Sequence, residues 1–310
     1  MDYPVPHKEP MVGFAMQDEG YGVPETVAQV VFMLPEGADI PQWQSNIEFF
    51  QMNAQNYEIT HYHSAGEWLT GSINIPWCPA MMVLTTYYIN EWAFTRDAAN
   101  YYDGYWATFF VYLGQGLYLR FPDVKCTGGR FNVSFGSMAW LEFDINGIGD
   151  IVAGEAADFA DITRLVANPY NYGETTISLG FPTLAQDNYT KDHTIEWSNE
   201  VLAPGDAGTL AASSTPVLLP NTAKPQWSGR FDQIFHNTSI WDAFRAKTEC
   251  QLRTVVTRAG VATGTLTLPR ILYTDPGLTI PADGVVQHAA AYQALGGTAG
   301  EASFTFTETV

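Results

Sequence analysis

Residues Arg130 to Ile145 read RFNVSFGSMAWLEFDI, and the second half of this stretch decides the fold class. From Trp140 onward the residues alternate: Leu141, Phe143 and Ile145 share one face, while Trp140, Glu142 and Asp144 share the other. A period of two belongs to a half-buried strand, with one face for a core and one for water. The same pattern recurs outward along the chain. Asn56 to His63, Ala107 to Leu119, His193 to Val201, Thr263 to Thr274 and Ser303 to Val310 are rich in β-branched and aromatic residues. In the last, Phe304 and Phe306 alternate with Ser303, Thr305, Thr307 and Thr309. The expected fold class is all-β with short flanking helices.

Bulk composition agrees. Aromatic residues make up 14% and hydrophobic residues 46% of the 310, with 27 Gly and 18 Pro to punctuate turns. Flat side chains pack well on pleated surfaces, and this much apolar content supports a substantial core. Two helices interrupt the strands. Thr238 to Glu249 is expected to open on Ser239, to bury Ile240, Trp241 and Phe244, and to pair Arg245 with Glu249 one turn on. Ala80 to Tyr88, after Pro79, is the weaker pattern.

These helices sit in a repeated context. Trp68-Leu-Thr-Gly71 precedes one and Trp227-Ser-Gly229 the other; Phe121-Pro122 follows the first and Leu268-Pro269 the second. Gly136 lies 14 residues past Pro122, and Gly284 lies 15 past Pro269. The shared order points to an internal duplication of two copies, too few for a solenoid or propeller. The stretch from Gly154 to Thr176 lacks alternation and carries Asn168, Pro169, Asn171 and Gly173. It reads as a connection, which gives an N-terminal domain at 1–155, a linker at 156–176 and a C-terminal domain at 177–310.

Charge excludes one class of partner. With 33 acidic and 14 basic residues the formal net is −19, whereas phosphate binding needs clustered Lys and Arg. The excess is uneven: residues 1–160 carry 19 acidic and 5 basic, residues 161–310 carry 14 and 9. Cys78, Cys126 and Cys250 have neither CxxC nor zinc-finger spacing, so packed, reduced thiols are expected. The N-terminal MDYPVPHKEPMVGF has no continuous apolar stretch and does not read as a signal peptide, and no membrane-spanning run is expected.

Catalytic patterns are thin. His61 and His63 share a strand face without carboxylate or thiol partners, too few for a metal site. Glu142 and Asp144 have the chemistry of a glycosidase pair but the spacing of a solvated strand face. Gly114-Gln-Gly116 reads as a turn, and no GxSxG, HExxH or EF-hand loop occurs. No catalytic site, cofactor or metal is expected.

The second half carries an ordered set: Trp227-Ser-Gly229-Arg-Phe231, then SIWDAFRAKTE (Ser239 to Glu249), TLTLPRIL (Thr265 to Leu272), DGVVQHAAAYQAL (Asp283 to Leu295) and SFTFTETV. With GRFNVSFGSMAWLEFDINGIG (Gly129 to Gly149) in the first half, this resembles the tail tube proteins of long-tailed bacteriophages. The resemblance covers about two thirds of the chain and lies in the pattern, without a catalytic signature. It implies two tandem β-sandwich domains, each with a flanking helix, that give strands to a ring-shaped β-barrel. It also implies a structural virion component, assembled in the host cytoplasm, that meets tail terminator, distal tail and tape measure proteins and conducts DNA without binding it.

With four strands per domain and three chains per ring, a barrel of roughly 24 strands tilted about 45° would be roughly 50 Å across at the backbone. Side chains would leave about 40 Å, ample beside a major groove about 12 Å wide. Glu142 and Asp144, with Glu196 and Glu200, are the expected lumen-facing residues. The competing readings are another virion part, such as a distal tail or decoration protein, a carbohydrate-binding β-sandwich using exposed tryptophans, and a two-domain hydrolase using the carboxylate pair.

Overall fold

The computed structural model describes residues 10–17, 21–33, 42–50, 61–77, 106–114, 116–159, 170–181, 183–198, 226–258, 261–280, 284–295 and 303–306. Nearly all of these lie in or between strands. The first-half strands are β1 (Met11–Met16), β2 (Val30–Met33), β3 (Gln42–Phe50), β4 (His61–Pro76), β5 (Ala107–Tyr112), β6 (Tyr118–Ser134), β7 (Trp140–Gly147) and β8 (Val152–Ala153). The second-half strands are β9 (Thr175–Gly180), β10 (Leu184–Asp187), β11 (Thr190–Ser198), β12 (Gln226–Ile234), β13 (Cys250–Arg258), β14 (Val261–Asp275), β15 (Leu278–Thr279), β16 (Gln287–Ala294) and β17 (Ser303–Phe306). One helix, α1 (Ser239–Ala246), lies between β12 and β13. The all-β expectation therefore holds. The helix expected at Ala80 to Tyr88 falls outside the described residues.

The strand pairings of the two halves correspond one for one. The first half runs β3–β4–β7–β6–β5–β1–β2, every contact antiparallel. The second runs β11–β12–β16–β14–β13–β9–β10, again antiparallel throughout. Register agrees as well. Gly71 stands opposite Ile145 and Gly229 opposite Tyr292; Val124 stands opposite Gly147 and Ile271 opposite Ala294. Two irregularities repeat in place. Between Val124 and Phe121, β6 holds Pro122-Asp123 opposite a single residue of β5, and β14 holds Pro269-Arg270 opposite a single residue of β13. A bulge is where a strand proline does least harm, because its missing N–H has no ladder partner to lose. The second irregularity lies between Cys126 and Gly128 on β6 and between Tyr273 and Asp275 on β14.

That second bulge lies where β6 changes partners on one edge. The N-terminal part of β6 pairs with β5, while Gly128 to Ser134 pairs with β11, so the two halves join at one ladder. The core lies behind this ladder. Leu141, Phe143 and Ile145 are buried, as their alternation implies, together with Trp197, Trp227, Phe231 and Tyr292. Trp77 meets Phe131 edge-on at 4.4 Å between ring centroids and Tyr170 at 5.6 Å. Tyr170 lies in the stretch read as a connection, yet it is fully buried and has the Arg258 guanidinium 4.4 Å above its ring.

Helix α1 differs from expectation at both ends. Thr238, not Ser239, precedes its first turn, and its hydroxyl donates to Asp242 at 2.7 Å. Lys247 takes a left-handed conformation (φ 52°) and stops the helix, so Glu249 cannot pair with Arg245 across a turn. Glu249 instead receives Arg270 at 2.7 Å. Ile240 and Ala243 are buried, whereas Trp241 is exposed.

Candidate functional site: an acidic sheet face

Six strands, β4–β7–β6–β11–β12–β16, run side by side and show one continuous face away from the core. Register fixes what stands on it. At one level Asn74, Glu142, Arg130, Glu196, Ser228 and Gln293 follow one another across the strands. One level along come Ser72, Asp144, Gly128, Ser198 and Gln226; on the other side come Asn132, Thr194 and Arg230, then Asp192 and Asp232. The face is polar because period-two alternation has already spent the apolar residues on the core.

Three of the four residues singled out in the sequence, Glu142, Asp144 and Glu196, thus share this face. Glu200 lies outside the described residues. Arg130 is the residue that sequence reasoning missed. It stands between Glu142 and Glu196, and its Nε donates to Glu142 at 2.6 Å. The Glu142 hydrogen bond and charge, with Glu196 and Asp144 adding to them, hold the guanidinium more firmly protonated than usual. Asp144 is pushed toward its neutral form: partial burial raises its pKa first, and the neighbouring Glu142 charge adds to the rise, with Arg130 opposing it. Five carboxylates (Glu142, Asp144, Asp192, Glu196, Asp232) against Arg130 and Arg230 leave the face net negative. A groove of about 420 Å³ lies along it, lined by Arg130, Glu142, Asp144, Glu196, Gln226 and Gln293 among others.

Two glycines keep this face closely packed. A Cβ on Gly129 would come 2.2 Å from the Glu142 carbonyl oxygen and 2.4 Å from the Trp197 ring. A Cβ on Gly229 would come 2.2 Å from the Tyr292 hydroxyl and 2.6 Å from the Thr194 carbonyl oxygen. The indole of Trp197 therefore lies flush beneath the junction of β6 and β11, with Phe143 and Trp227 beside it.

Other candidates resolve into structure. His193 is fully buried and contacts the Tyr292 hydroxyl at 3.0 Å and the Thr254 hydroxyl at 3.5 Å. Burial holds its pKa down to about 3, so the ring is neutral at ordinary pH. Cys126 and Cys250 are buried thiols, pushed up to about 12 and about 11 by burial. Gly114 and Gly116 form the β5–β6 turn, both at positive φ. His61 and His63 belong to β4, with side chains outside the described set. Among the described residues no cluster of metal-ligating side chains occurs, and no helix is long and apolar enough to cross a membrane. Neither a protein-family model nor a curated protein matches this chain.

Proposed function

We propose that this chain is a structural subunit of a phage tail tube, built from two tandem domains of one pattern. Three copies close a ring of pseudo-sixfold character, rings stack head to tail, and the acidic sheet face lines a bore that conducts the genome without holding it. The observation that carries the reading is the antiparallel run β3–β4–β7–β6–β11–β12–β16–β15, whose central strands β7, β6, β11 and β12 keep a largely polar face and bury the residues of the other. Each half contributes four strands to it, the number a ring of three chains needs for a bore of duplex width. Its face is net negative overall, and its two cations are each paired with a carboxylate, Arg130 with Glu142 and Arg230 with Asp232, so DNA finds few counterion-releasing contacts on which to stall. Closure also removes edge strands, which otherwise template aggregation.

The competing readings bear on the same face. Carbohydrate binding calls for aromatic platforms beside polar groups; Trp197 and Trp227, beneath the face, are each only 4% exposed, and the partly exposed Trp68 and Trp140 stand at its β4–β7 end. A hydrolase needs a carboxylate poised to take or give a proton beside a second one; Asp144 is raised by partial burial and by the Glu142 charge, while Glu142 itself is held in an ion pair by Arg130. Negative-stain electron microscopy of the concentrated, purified chain tests the proposal. Rings or stacked tubes with a central hole are the expected result; discrete monomers at every concentration overturn it.

A further inference from the structure

One end of the first half is a filled seat. Trp77, just past β4, donates its N–H to the Ala139 carbonyl at 2.8 Å. Tyr170 lies against both: its N–H donates to the Trp77 carbonyl at 2.7 Å, and its carbonyl accepts from the Ala139 N–H at 2.8 Å. Tyr170 and Trp77 are 0% and 2% exposed. In the second half, the matching register puts Phe235 in the place of Trp77 and Val286 in that of Ala139. The hydrogen bond between them recurs, from the Phe235 N–H to the Val286 carbonyl at 2.8 Å. No described residue takes the place of Tyr170. The Phe235 carbonyl and the Val286 N–H have no hydrogen-bond partner among the described residues. The side chains around them register the difference. Phe235 is 36% exposed, and Leu278, opposite His288 as Phe131 is opposite Leu141, is 50% exposed against 5% for Phe131. His288 donates from Nδ1 to the Pro276 carbonyl at 2.8 Å, and its buried Nε2 has no partner.

We propose that this second seat is taken by another molecule of the chain, whose Val5 fills it as Tyr170 fills the first. Register identifies the residue. Leu179 of β9 stands opposite Leu252 and Phe14 of β1 opposite Phe109, each just past the matching bulge of β13 or β5. The two strands thus correspond at an offset of 165 residues, which sets Tyr170 against Val5. Residues 3–6 read Tyr-Pro-Val-Pro. Prolines have no N–H, so Val5 carries the one donor between Pro4 and Pro6, and the seat has one acceptor for it. A residue before proline is biased toward extended backbone, so Val5 loses little freedom on docking. Tyr170 serves the half that precedes its own strand; in the same relation Val5 meets the second half of a neighbouring copy. The contact lays an extended segment on an open sheet end. It joins unlike surfaces and therefore continues from copy to copy. It deepens the tube reading and rests on it only for the ring in which that series closes.

The test uses the full chain. Chains with Val5→Cys and chains with Phe235→Cys, mixed, assembled under reducing conditions and then oxidised, should give a covalent dimer holding one of each. Neither alone should give it. Val5→Pro removes the N–H and leaves the Phe235 carbonyl without its donor, so it should raise the concentration needed for assembly at least roughly tenfold. A synthetic peptide of residues 1–10 should block assembly of the wild type, and the same peptide with Val5→Pro should not. Rings or tubes that form without the mixed disulfide, or equally well with Val5→Pro, overturn the seat and leave the tube reading standing. A wild type that stays monomeric yet binds the peptide in calorimetry keeps the seat and overturns the tube. One that does neither overturns both.

Discussion

His193 makes the second half acid-sensitive, by an amount that the structure sets. Its ring is enclosed by Tyr292 of β16, Thr254 of β13 and Phe231 of β12, and burial lowers its pKa to about 3. In the unfolded chain the same ring titrates near 6.5. The folded pKa is the lower one, so the stabilisation of keeping this ring neutral is complete above about pH 6.5. It is lost as pH falls toward 3, because the unfolded chain then takes up a proton that the folded chain refuses. Each pH unit in that window costs about 1.4 kcal/mol, or about 5 kcal/mol across it, comparable with the whole stability of a small domain. His193→Gln keeps a polar side chain facing Tyr292 and removes the titration. Urea unfolding of wild type and variant between pH 7 and pH 4 isolates the effect, since the carboxylates are common to both. The variant should be the less stable at pH 7 and should lose stability more slowly on acidification. Parallel pH profiles would refute a neutral, proton-refusing His193.

Three other outcomes are expected. Gly229→Ala and Gly129→Ala each drive a methyl into backbone oxygen or an aromatic side chain that cannot retreat, so each should lower the unfolding free energy by about 2 kcal/mol or more, read as a lower urea midpoint; unchanged midpoints would show the packing to be looser than described. Cys126 and Cys250 should resist thiol reagents in the folded chain and react once it unfolds, read by peptide mapping after a timed pulse, because burial disfavours both thiolates. Asp144→Lys with Glu196→Lys, which leaves the Arg130–Glu142 pair intact, should permit assembly but slow DNA ejection in a salt-dependent way; normal ejection at low salt in correctly built particles would remove this face from the bore.

How much of this was legible beforehand depended on distance along the chain. The division of Leu141, Phe143 and Ile145 from Trp140, Glu142 and Asp144 needs only the pleat, and it holds residue by residue. The common positions of Gly71 and Gly229, and of Pro122 and Pro269, were visible as order; their shared register emerges only from the pairings. Arg130 was invisible as part of the acidic group, because its neighbours Glu142 and Glu196 come from two strands on either side of it. The Arg245–Glu249 pair failed because local spacing cannot reveal that Lys247 ends the helix. His193 read as an ordinary strand residue, since nothing near it in sequence signals that Thr254, Phe231 and Tyr292 converge on it.

The bend in β6 also has a mechanical consequence. In an antiparallel ladder the hydrogen bonds lie across the strands, so tension along the sheet's width loads all the bonds between Gly128–Ser134 and β11 together rather than one at a time. Bonds loaded in parallel share the strain. Part of that load does not stop at the next ladder: it passes through the covalent backbone at Cys126 to Gly128 into the stretch held by β5. A sheet woven in this way resists widening along more than one ladder, because the strand that feels the stretch against β11 is also held by β5.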